Sequence, residues 1–279
     1  MWPGTLFKEP WLKAATALFA QTTFFGKNHT EYFEIATPIP RPNTVSCTVT
    51  LGTHSFGWSY GRPYTGTYEP PPPACDSKWS RVVLEFEAHV AGRQFDRFGK
   101  EDGSGDAGFA VLCRMKGGGR RSFHHFYGGR WGGGTVIDTT HACAIWIGGA
   151  EIMRLTTAEP EPHGVFWKVE KDITAYAPLL SSPQSVVIAL DNIVDSTYTG
   201  IFNVTARAVF YAATEKFPVP KSVPHSVIPL SASNRTHGWF RLPQADHSSV
   251  TVPLPLLPQN IVKAHLEVFW SPHGCDEFW

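Results

Sequence analysis

The chain has few charged residues and no excess of either sign. Charged residues make up 17% of its 279 residues, and 24 Lys and Arg are balanced by 24 Asp and Glu. A protein that binds nucleic acid usually has a basic excess or stripe. A disordered chain has few aromatic residues, whereas aromatics reach 13% here. We therefore expect a folded protein with no nucleic-acid partner.

Long apolar runs, cysteine pairs and metal motifs are also missing. No run approaches the roughly 20 apolar residues that cross a bilayer, so we expect no membrane span. Lys8, Glu9 and Lys13 interrupt the first twenty residues, which therefore show no clear signal peptide. There is no HExxH motif, no CxxC pair and no ligand spacing among the histidines. We expect neither a metal nor a cofactor.

What the sequence does have is strand-like alternation between turns. Its 25 Gly and 23 Pro, with many Val, Ile, Thr and aromatic residues, are typical of short strands joined by turns. No segment has sustained helical periodicity, so the predicted class is all-β. The predicted strands lie at 31–40, 44–53, 79–90, 143–157, 164–174, 184–193, 200–212, 237–243 and 261–270.

Two segments interrupt this pattern. Residues 99–134 hold twelve of the 25 glycines and show strand alternation only at 109–113. So long a loop inside a compact domain indicates either a functional lid or an atypical insertion, and we favour an insertion. Residues 214–230 are Pro-rich and indicate an interdomain connector. The predicted organisation is an extension at 1–28, a first domain at 29–213 containing the insertion at 99–142, a linker at 214–230 and a second domain at 231–279.

Cysteine and glycosylation patterns bear on the compartment. Cys47 and Cys75 flank one predicted hairpin and can form a disulfide if the protein is exported. The odd count of five cysteines leaves at least one thiol without a partner in this chain. Asn-X-Thr triplets occur at Asn28, Asn203 and Asn234. Such triplets also arise by chance, so they indicate secretion only weakly.

Several segments, in order along the chain, resemble one family. They include GRQFDR at 92–97, IWIGGAEIMRLTTAEP at 145–160, GVFWKVEKDIT at 164–174 and DSTYTGIFNV at 195–204. Together they resemble the plant and fungal peptide-N4-(N-acetyl-β-glucosaminyl)asparagine amidases A. The resemblance covers nearly the whole chain except the first ~25 residues and the glycine-rich segment.

The resemblance carries expectations about fold and activity. It implies two jelly-roll β-sandwiches with the active site between them, the second one truncated because relatives continue past the last segment. It implies hydrolysis of the amide that joins Asn to the first N-acetylglucosamine of an N-glycan, without a metal. The expected partners are N-glycosylated peptides or glycoproteins, and the expected location is the secretory pathway, the vacuole or the outside of the cell. Oligomeric state stays open.

Amide hydrolysis of this kind needs a base for water, donors for the oxyanion and an acid for the leaving nitrogen. Asp96 is the predicted base, because its segment resembles the catalytic WDR motif of bacterial N-glycanases. Arg93 or Arg97 would keep it ionised and contact the substrate, since a nearby positive charge favours a carboxylate. The alternative is a structural Asp–Arg pair at a turn.

Further candidates come from the same resemblance. Glu277, in the segment 273–279, is the predicted second carboxylate, which orients the glycan or protonates the leaving nitrogen; the alternative is a solvated terminal residue. Asp191 is the third predicted catalytic carboxylate, on a looser match to a third acidic residue of the bacterial family. His273 is a predicted substrate contact, although a surface histidine is equally compatible.

Three tryptophans are candidates for stacking on sugar faces, although a tryptophan in a sandwich is more often part of the core. They are Trp58, Trp167 and Trp270, of which Trp270 is the predicted substrate contact. The competing hypothesis for the whole chain is a glycan-binding or inactive β-sandwich without turnover, which a truncated second sandwich favours.

Overall fold

The computed structural model of the chain describes residues 30–33, 38–75, 77–93, 105–115, 142–158, 163–231, 239–242 and 251–271. Strands are the main regular structure of these residues, which confirms the all-β prediction, and a short helix, α1, spans Ala177–Leu180. In chain order the strands are β1 (Thr30–Phe33), β2 (Ser46–Phe56), β3 (Tyr64–Tyr68), β4 (Trp79–Val90), β5 (Gly105–Met115), β6 (Ala142–Ile147), β7 (Ala150–Thr156), β8 (Val165–Asp172), β9 (Gln184–Leu190), β10 (Phe202–Ala212), β11 (Ser226–Pro229), β12 (Phe240–Leu242) and β13 (Ile261–Ser271).

Two of the sheets share one core. The first has the order β1-β8-β4-β10-β2, with β1 parallel to β8 and the other pairs antiparallel. The second has the order β3-β9-β6-β7 and is antiparallel. Phe86 and Phe210 from the first sheet and Ile145 and Ile188 from the second lie in the same buried cluster. We call these two sheets the main sandwich.

A third sheet forms around β5. This strand pairs with β13 on one side and with β11 and β12 on the other. β5 lies in the glycine-rich segment, where the sequence predicted a strand only at 109–113, and β11 lies in the predicted connector. Both differ from the prediction for the same reason: partners distant in the sequence supply their backbone hydrogen bonds, so local alternation is a weak guide.

The third sheet covers the outer face of the second. Trp239 packs on Trp146 with ring centroids 5.4 Å apart, and Ala144 and Ala189 complete this small buried cluster. Val227 of β11 packs against the core of the main sandwich. On β13 several apolar side chains remain exposed, namely Val262, Leu266 and Val268.

The structure shows the bonding state of three of the five cysteines. Cys47 of β2 and Cys75 form a disulfide, with Cα atoms 5.8 Å apart and a sequence separation of 28. A loop of this length stabilises the fold by about 3–4 kcal/mol through the unfolded chain. Cys143 is free and buried, and burial raises the pKa of its thiol, so it is a packing residue rather than a nucleophile.

Candidate functional site

Two of the predicted site residues lie in loops at one end of the main sandwich. Arg93 follows β4 and Asp191 follows β9. We call the loops at 57–62, 91–93 and 191–200 the loop end. Backbone hydrogen bonds and small polar side chains hold these three loops together.

The backbone of Arg93 is fixed on the loop at 199–200. Its carbonyl accepts the N–H groups of Thr199 at 2.7 Å and Gly200 at 2.8 Å, and its own N–H donates to Thr199 Oγ1 at 3.2 Å. Gly92 precedes it with a φ of 101°, and a Cβ there would lie 2.8 Å from Thr199 Oγ1. Only glycine meets both conditions without strain, which explains why β4 turns away here.

The side chain of Arg93 is exposed beside an aromatic ring. Its guanidinium lies 5.8 Å from the centroid of Tyr198, a cation–π distance. Asp195 orders the ring's loop, because its Oδ1 accepts the N–H groups of Thr197 at 2.7 Å and Tyr198 at 2.8 Å. The loop end therefore presents a positive charge and an aromatic face together.

Asp191 lies at the turn after β9 and is half-buried. Its Oδ1 accepts the N–H of Gly61 at 3.3 Å. Ser59 binds the same turn twice, through its N–H to the Asn192 carbonyl at 3.0 Å and through its hydroxyl to the Leu190 carbonyl at 2.7 Å. The carboxylate thus anchors the loop at 57–62, a positioning role that the looser family similarity did not predict.

Asn192 joins the loops and was missed by the sequence reasoning. It is fully buried, and its Nδ2 donates to the carbonyls of Phe56 and Gly200, both at 2.9 Å. Because Gly200 also donates to the carbonyl of Arg93, one amide couples the turn of Asp191 to the turn of Arg93. The only sequence signal is a polar residue two positions after a buried strand.

The tryptophans considered for stacking have different surroundings. Trp58 lies at the loop end with 55% of its surface exposed. Trp167 is 4% exposed and packs edge-on against Phe202 at 6.1 Å, so it belongs to the core. A stacking role therefore stays a prediction for Trp58 and is wrong for Trp167.

Four predicted site residues lie outside the described residues. They are Asp96, Arg97, His273 and Glu277. Their predicted roles are unchanged by the structure.

The backbone of Trp270 is placed away from the loop end. It pairs with Ala107 in the third sheet. Its neighbour Phe269 lies against Lys171, with the ammonium 4.4 Å from the ring centroid. Lys171 pairs with Leu84 of β4, about 20 Å before that strand ends at roughly 3.3 Å per residue. The structure thus brings Arg93 and Asp191 to one end of the main sandwich and places Trp270 away from that end.

Charged side chains also meet where β13 lies against the main sandwich. Glu267 Oε1 lies 2.6 Å from Lys171 Nζ, and Glu267 Oε2 accepts the hydroxyl of Tyr176 at 2.6 Å. Lys171 also donates to the carbonyl of Ile152 at 2.8 Å. With a neighbouring buried pair they make up the interface cluster, which consists of Glu151, Arg154, Lys171, Tyr176 and Glu267.

The buried pair of the interface cluster is bidentate. Glu151 is fully buried, and Arg154 donates to it through Nε at 2.6 Å and Nη2 at 2.9 Å. Burial raises the pKa of Glu151, and the hydrogen bonds and charge of Arg154 oppose that shift. Burial, reinforced by Glu267, also raises the pKa of Tyr176. Each carboxylate has a cation beside it, and Glu267 joins β13 to the main sandwich through Lys171 and Tyr176.

Two further features are absent from the described part of the chain. Within it, no three His, Cys, Asp or Glu side chains form a group that could hold a metal ion. None of the helices described there is long and apolar enough to cross a membrane.

Comparison with known proteins gives one family. The family model for peptide N-acetyl-beta-D-glucosaminyl asparaginase amidase A matches residues 36–100 and 137–279. The unmatched residues 101–136 fall inside the predicted insertion at 99–142. A curated relative, the peptide-N4-(N-acetyl-beta-glucosaminyl)asparagine amidase A of Prunus dulcis, is 32% identical over 265 residues. That alignment covers 90% of this chain and 38% of the relative, so the chain spans well under half of the relative's length.

A solved structure adds nothing to this. A chain from turnip yellow mosaic virus covers 66% of this chain and 90% of its own length, at 9% identity and a TM-score of 0.15, and so weak a likeness carries no argument. The family model, in contrast, matches most of the chain, including all three loops of the loop end. This confirms the resemblance seen in the sequence: the chain belongs to the peptide N-acetyl-β-D-glucosaminyl asparaginase amidase A family.

Proposed function

We propose that this chain carries the loop end of a deglycosylating amidase that hydrolyses the bond between Asn and the first N-acetylglucosamine of N-glycans. One observation carries the proposal. The family match spans every loop that fixes Arg93 and Asp191, and the structure couples those loops through Asn192. N-glycosylated peptides or glycoproteins are the proposed substrates, in line with the name of the Prunus dulcis relative.

The proposed reaction is water attack on the side-chain amide. Asp96, three residues after Arg93, takes a proton from water, and the oxygen adds to the amide carbon of the glycosylated Asn. The carbon–nitrogen bond then breaks as the nitrogen takes a proton from Glu277. The peptide leaves with Asp and the glycan leaves as a glycosylamine. No step in this sequence requires a metal.

The groups at the loop end have defined parts in this proposal. Arg93, three residues before Asp96 in the sequence and with its guanidinium exposed, has the part of favouring the charged form of that carboxylate. Asp191 keeps the loop at 57–62 in place rather than exchanging protons. Trp58, exposed on that loop, stacks on a sugar face.

Architecture and location belong to the same proposal. A jelly-roll connection of the main sandwich, with the third sheet as the start of a second jelly roll, agrees with two sheets on one core and a third packed outside it. A secretory location agrees with the disulfide between Cys47 and Cys75, because such bonds persist in oxidising compartments.

A defined N-glycopeptide tests the proposed reaction. In water enriched in ¹⁸O, mass spectrometry should show the released glycan and a peptide in which Asn has become Asp with one ¹⁸O. A peptide that keeps one N-acetylglucosamine would identify an endoglycosidase and contradict the amidase. Binding of the glycopeptide without release would support the non-catalytic alternative.

Asp96→Asn tests the assignment of the base. We expect turnover to fall by about 10²- to 10⁴-fold, the usual contribution of a general base, with the unfolding transition unchanged. Full activity in this variant would show that Asp96 is not the base.

Arg93→Met tests the positive charge. We expect kcat/KM to fall by about tenfold or more, since a hydrogen bond to a charged group contributes about 1.5–3 kcal/mol. Arg62→Met is the matched control, because Arg62 is an exposed arginine on the neighbouring loop. Equal losses in the two variants would show that only the overall charge matters.

A further inference from the structure

An N-glycosylation triplet lies on a solvent-facing strand of the main sandwich. Asn203 and Thr205, the first and third residues of the triplet, are both on β10. Burial alternates along this strand, so Phe202 and Val204 enter the core while Asn203 is exposed. The acceptor asparagine and the threonine hydroxyl therefore share the outer face of the first sheet.

The surroundings of Asn203 are small and polar on one side. Ser55 and Thr53 of β2 are exposed on the same face, and Thr53 and Thr205 have their hydroxyls 3.3 Å apart. Asn203 Oδ1 accepts the hydroxyl of Ser55 at 2.7 Å, whereas Nδ2, within the described part of the chain, reaches only the carbonyl of Ile201, at 3.5 Å. The nitrogen that would bear a sugar is thus the loosely held atom, and the oxygen can keep its hydrogen bond afterwards.

The disulfide is an independent observation that points to the same compartment. Cys47 and Cys75 are bonded, and such bonds form where thiols are oxidised, which for a eukaryotic chain is the compartment in which N-glycans are attached. Asn203, on the strand next to Cys47, would meet the glycan donor there.

We propose that Asn203 is an N-glycosylation site of this protein, with the glycan rising from the outer face of the first sheet next to the loop end. In the modification, Asn203 Nδ2 forms a bond to the anomeric carbon of an oligosaccharide carried on a lipid diphosphate. The bond from that carbon to the diphosphate breaks, the lipid diphosphate leaves with the electron pair, and one Nδ2 proton passes to the transferase. Gly200, three residues before Asn203, donates to Arg93, so the glycan starts close to the proposed catalytic loops.

Glycopeptide mass spectrometry on the full chain, expressed in plant or insect cells behind a secretory leader, tests this site. The peptide containing Asn203 should carry an N-glycan in molecules that hold the disulfide between Cys47 and Cys75. Thr205→Ser keeps the triplet and should keep the glycan, whereas Thr205→Val and Asn203→Gln should lose it. An unmodified Asn203 in the disulfide-bonded chain overturns the proposal.

Removal of the glycan by the chain's own activity is distinguishable from absence. An Asp at position 203 in the parent, replaced by a glycosylated Asn in the Asp96→Asn variant, supports attachment followed by removal. An Asp at 203 that is equally abundant in Thr205→Val comes from spontaneous deamidation and counts against the site. The test does not depend on the proposed amidase function, because glycan attachment is scored whether or not the chain turns over substrate.

Discussion

The loop end and the interface cluster both gather polar side chains at the edge of the main sandwich, but they are built differently. At the loop end, backbone groups and the buried amide of Asn192 hold the loops, and the charged Arg93 stays exposed. In the interface cluster the ion pair of Lys171 with Glu267 connects β13 to the main sandwich, and Glu151 is fully buried against Arg154 of its own strand. The first arrangement leaves a charge available to a substrate, whereas in the second every carboxylate is already paired with a cation of the protein.

This difference bears on how a functional site is recognised. Clusters of carboxylates and cations between two sheets are an obvious candidate, and the interface cluster has both. Each of its carboxylates, however, already has a cation within 3 Å, at 2.6 Å in both pairs. Structural ion pairs of this kind also shift the pKa values of their carboxylates, so a shifted pKa does not by itself identify a catalytic residue. The availability of a group, more than its shifted pKa, separates the two regions.

Arg154→Ala, in the interface cluster, should have the largest effect on stability. Removing one partner of a buried ion pair leaves Glu151 without its counter-charge, and we expect a loss of about 3–5 kcal/mol in the free energy of unfolding. Urea unfolding measures it. The double variant Glu151→Leu with Arg154→Met should recover most of the loss, since it removes both charges; a double variant as unstable as the single one would contradict this account.

The stability of the Arg154→Ala variant should also depend on pH in a way that reports the charge of Glu151. Burial raises the folded-state pKa of Glu151 above its ordinary value of 4.5, and in the variant Arg154 no longer opposes that shift. The folded state then prefers the protonated acid, so stability is retained at low pH and lost as pH rises through the folded-state pKa. The gap in stability between variant and parent should widen from pH 5 to pH 7; a constant gap would contradict this, since it would show that loss of Arg154 does not change the protonation of Glu151 in that range.

Asn192→Ala should have the next largest effect, at the loop end. It leaves the carbonyls of Phe56 and Gly200 without the Asn192 donor. We expect the free energy of unfolding to fall by about 2 kcal/mol, and activity to fall with it. Ser55→Ala is the control, because it removes an exposed hydrogen bond to Asn203. It should lower the free energy of unfolding by less than about 0.5 kcal/mol. A stable but inactive Asn192 variant would assign the amide to positioning alone.

Lys171→Met should have the smallest effect. Lys171 is 27% exposed, so its ion pair with Glu267 contributes about 1 kcal/mol. We expect faster amide hydrogen exchange in β13 and unchanged exchange at 191–200. Equal acceleration in both regions would show that the interface cluster and the loop end are one cooperative unit.

Much of the fold follows from the sequence where alternation is regular. The predicted strand at 79–90 has the bounds of β4, and the strand at 261–270 is β13 apart from one residue. β3, with the sequence YTGTY, and β11 were not predicted, because a five-residue and a four-residue strand carry too little alternation. β5 depends on partners more than 100 residues away, which no local pattern reports.

The candidate site divides in the same way. Resemblance to a family pointed to Arg93 and Asp191, because both lie in matched segments at strand ends. It could not single out Asn192, whose role depends on two carbonyls at Phe56 and Gly200 that carry no side-chain signal. Nor could it pair Lys171 with Glu267, since long-range ion pairs leave no pattern in a single sequence.

Hydrogen exchange with and without a bound N-glycopeptide tests the central claim most directly, using the Asp96→Asn variant to prevent turnover. The account predicts slower exchange of the amides at 57–62 and 191–200 on binding, with those at 151–156 and 265–269 unchanged. Protection confined to the interface cluster, with none at the loop end, would contradict it.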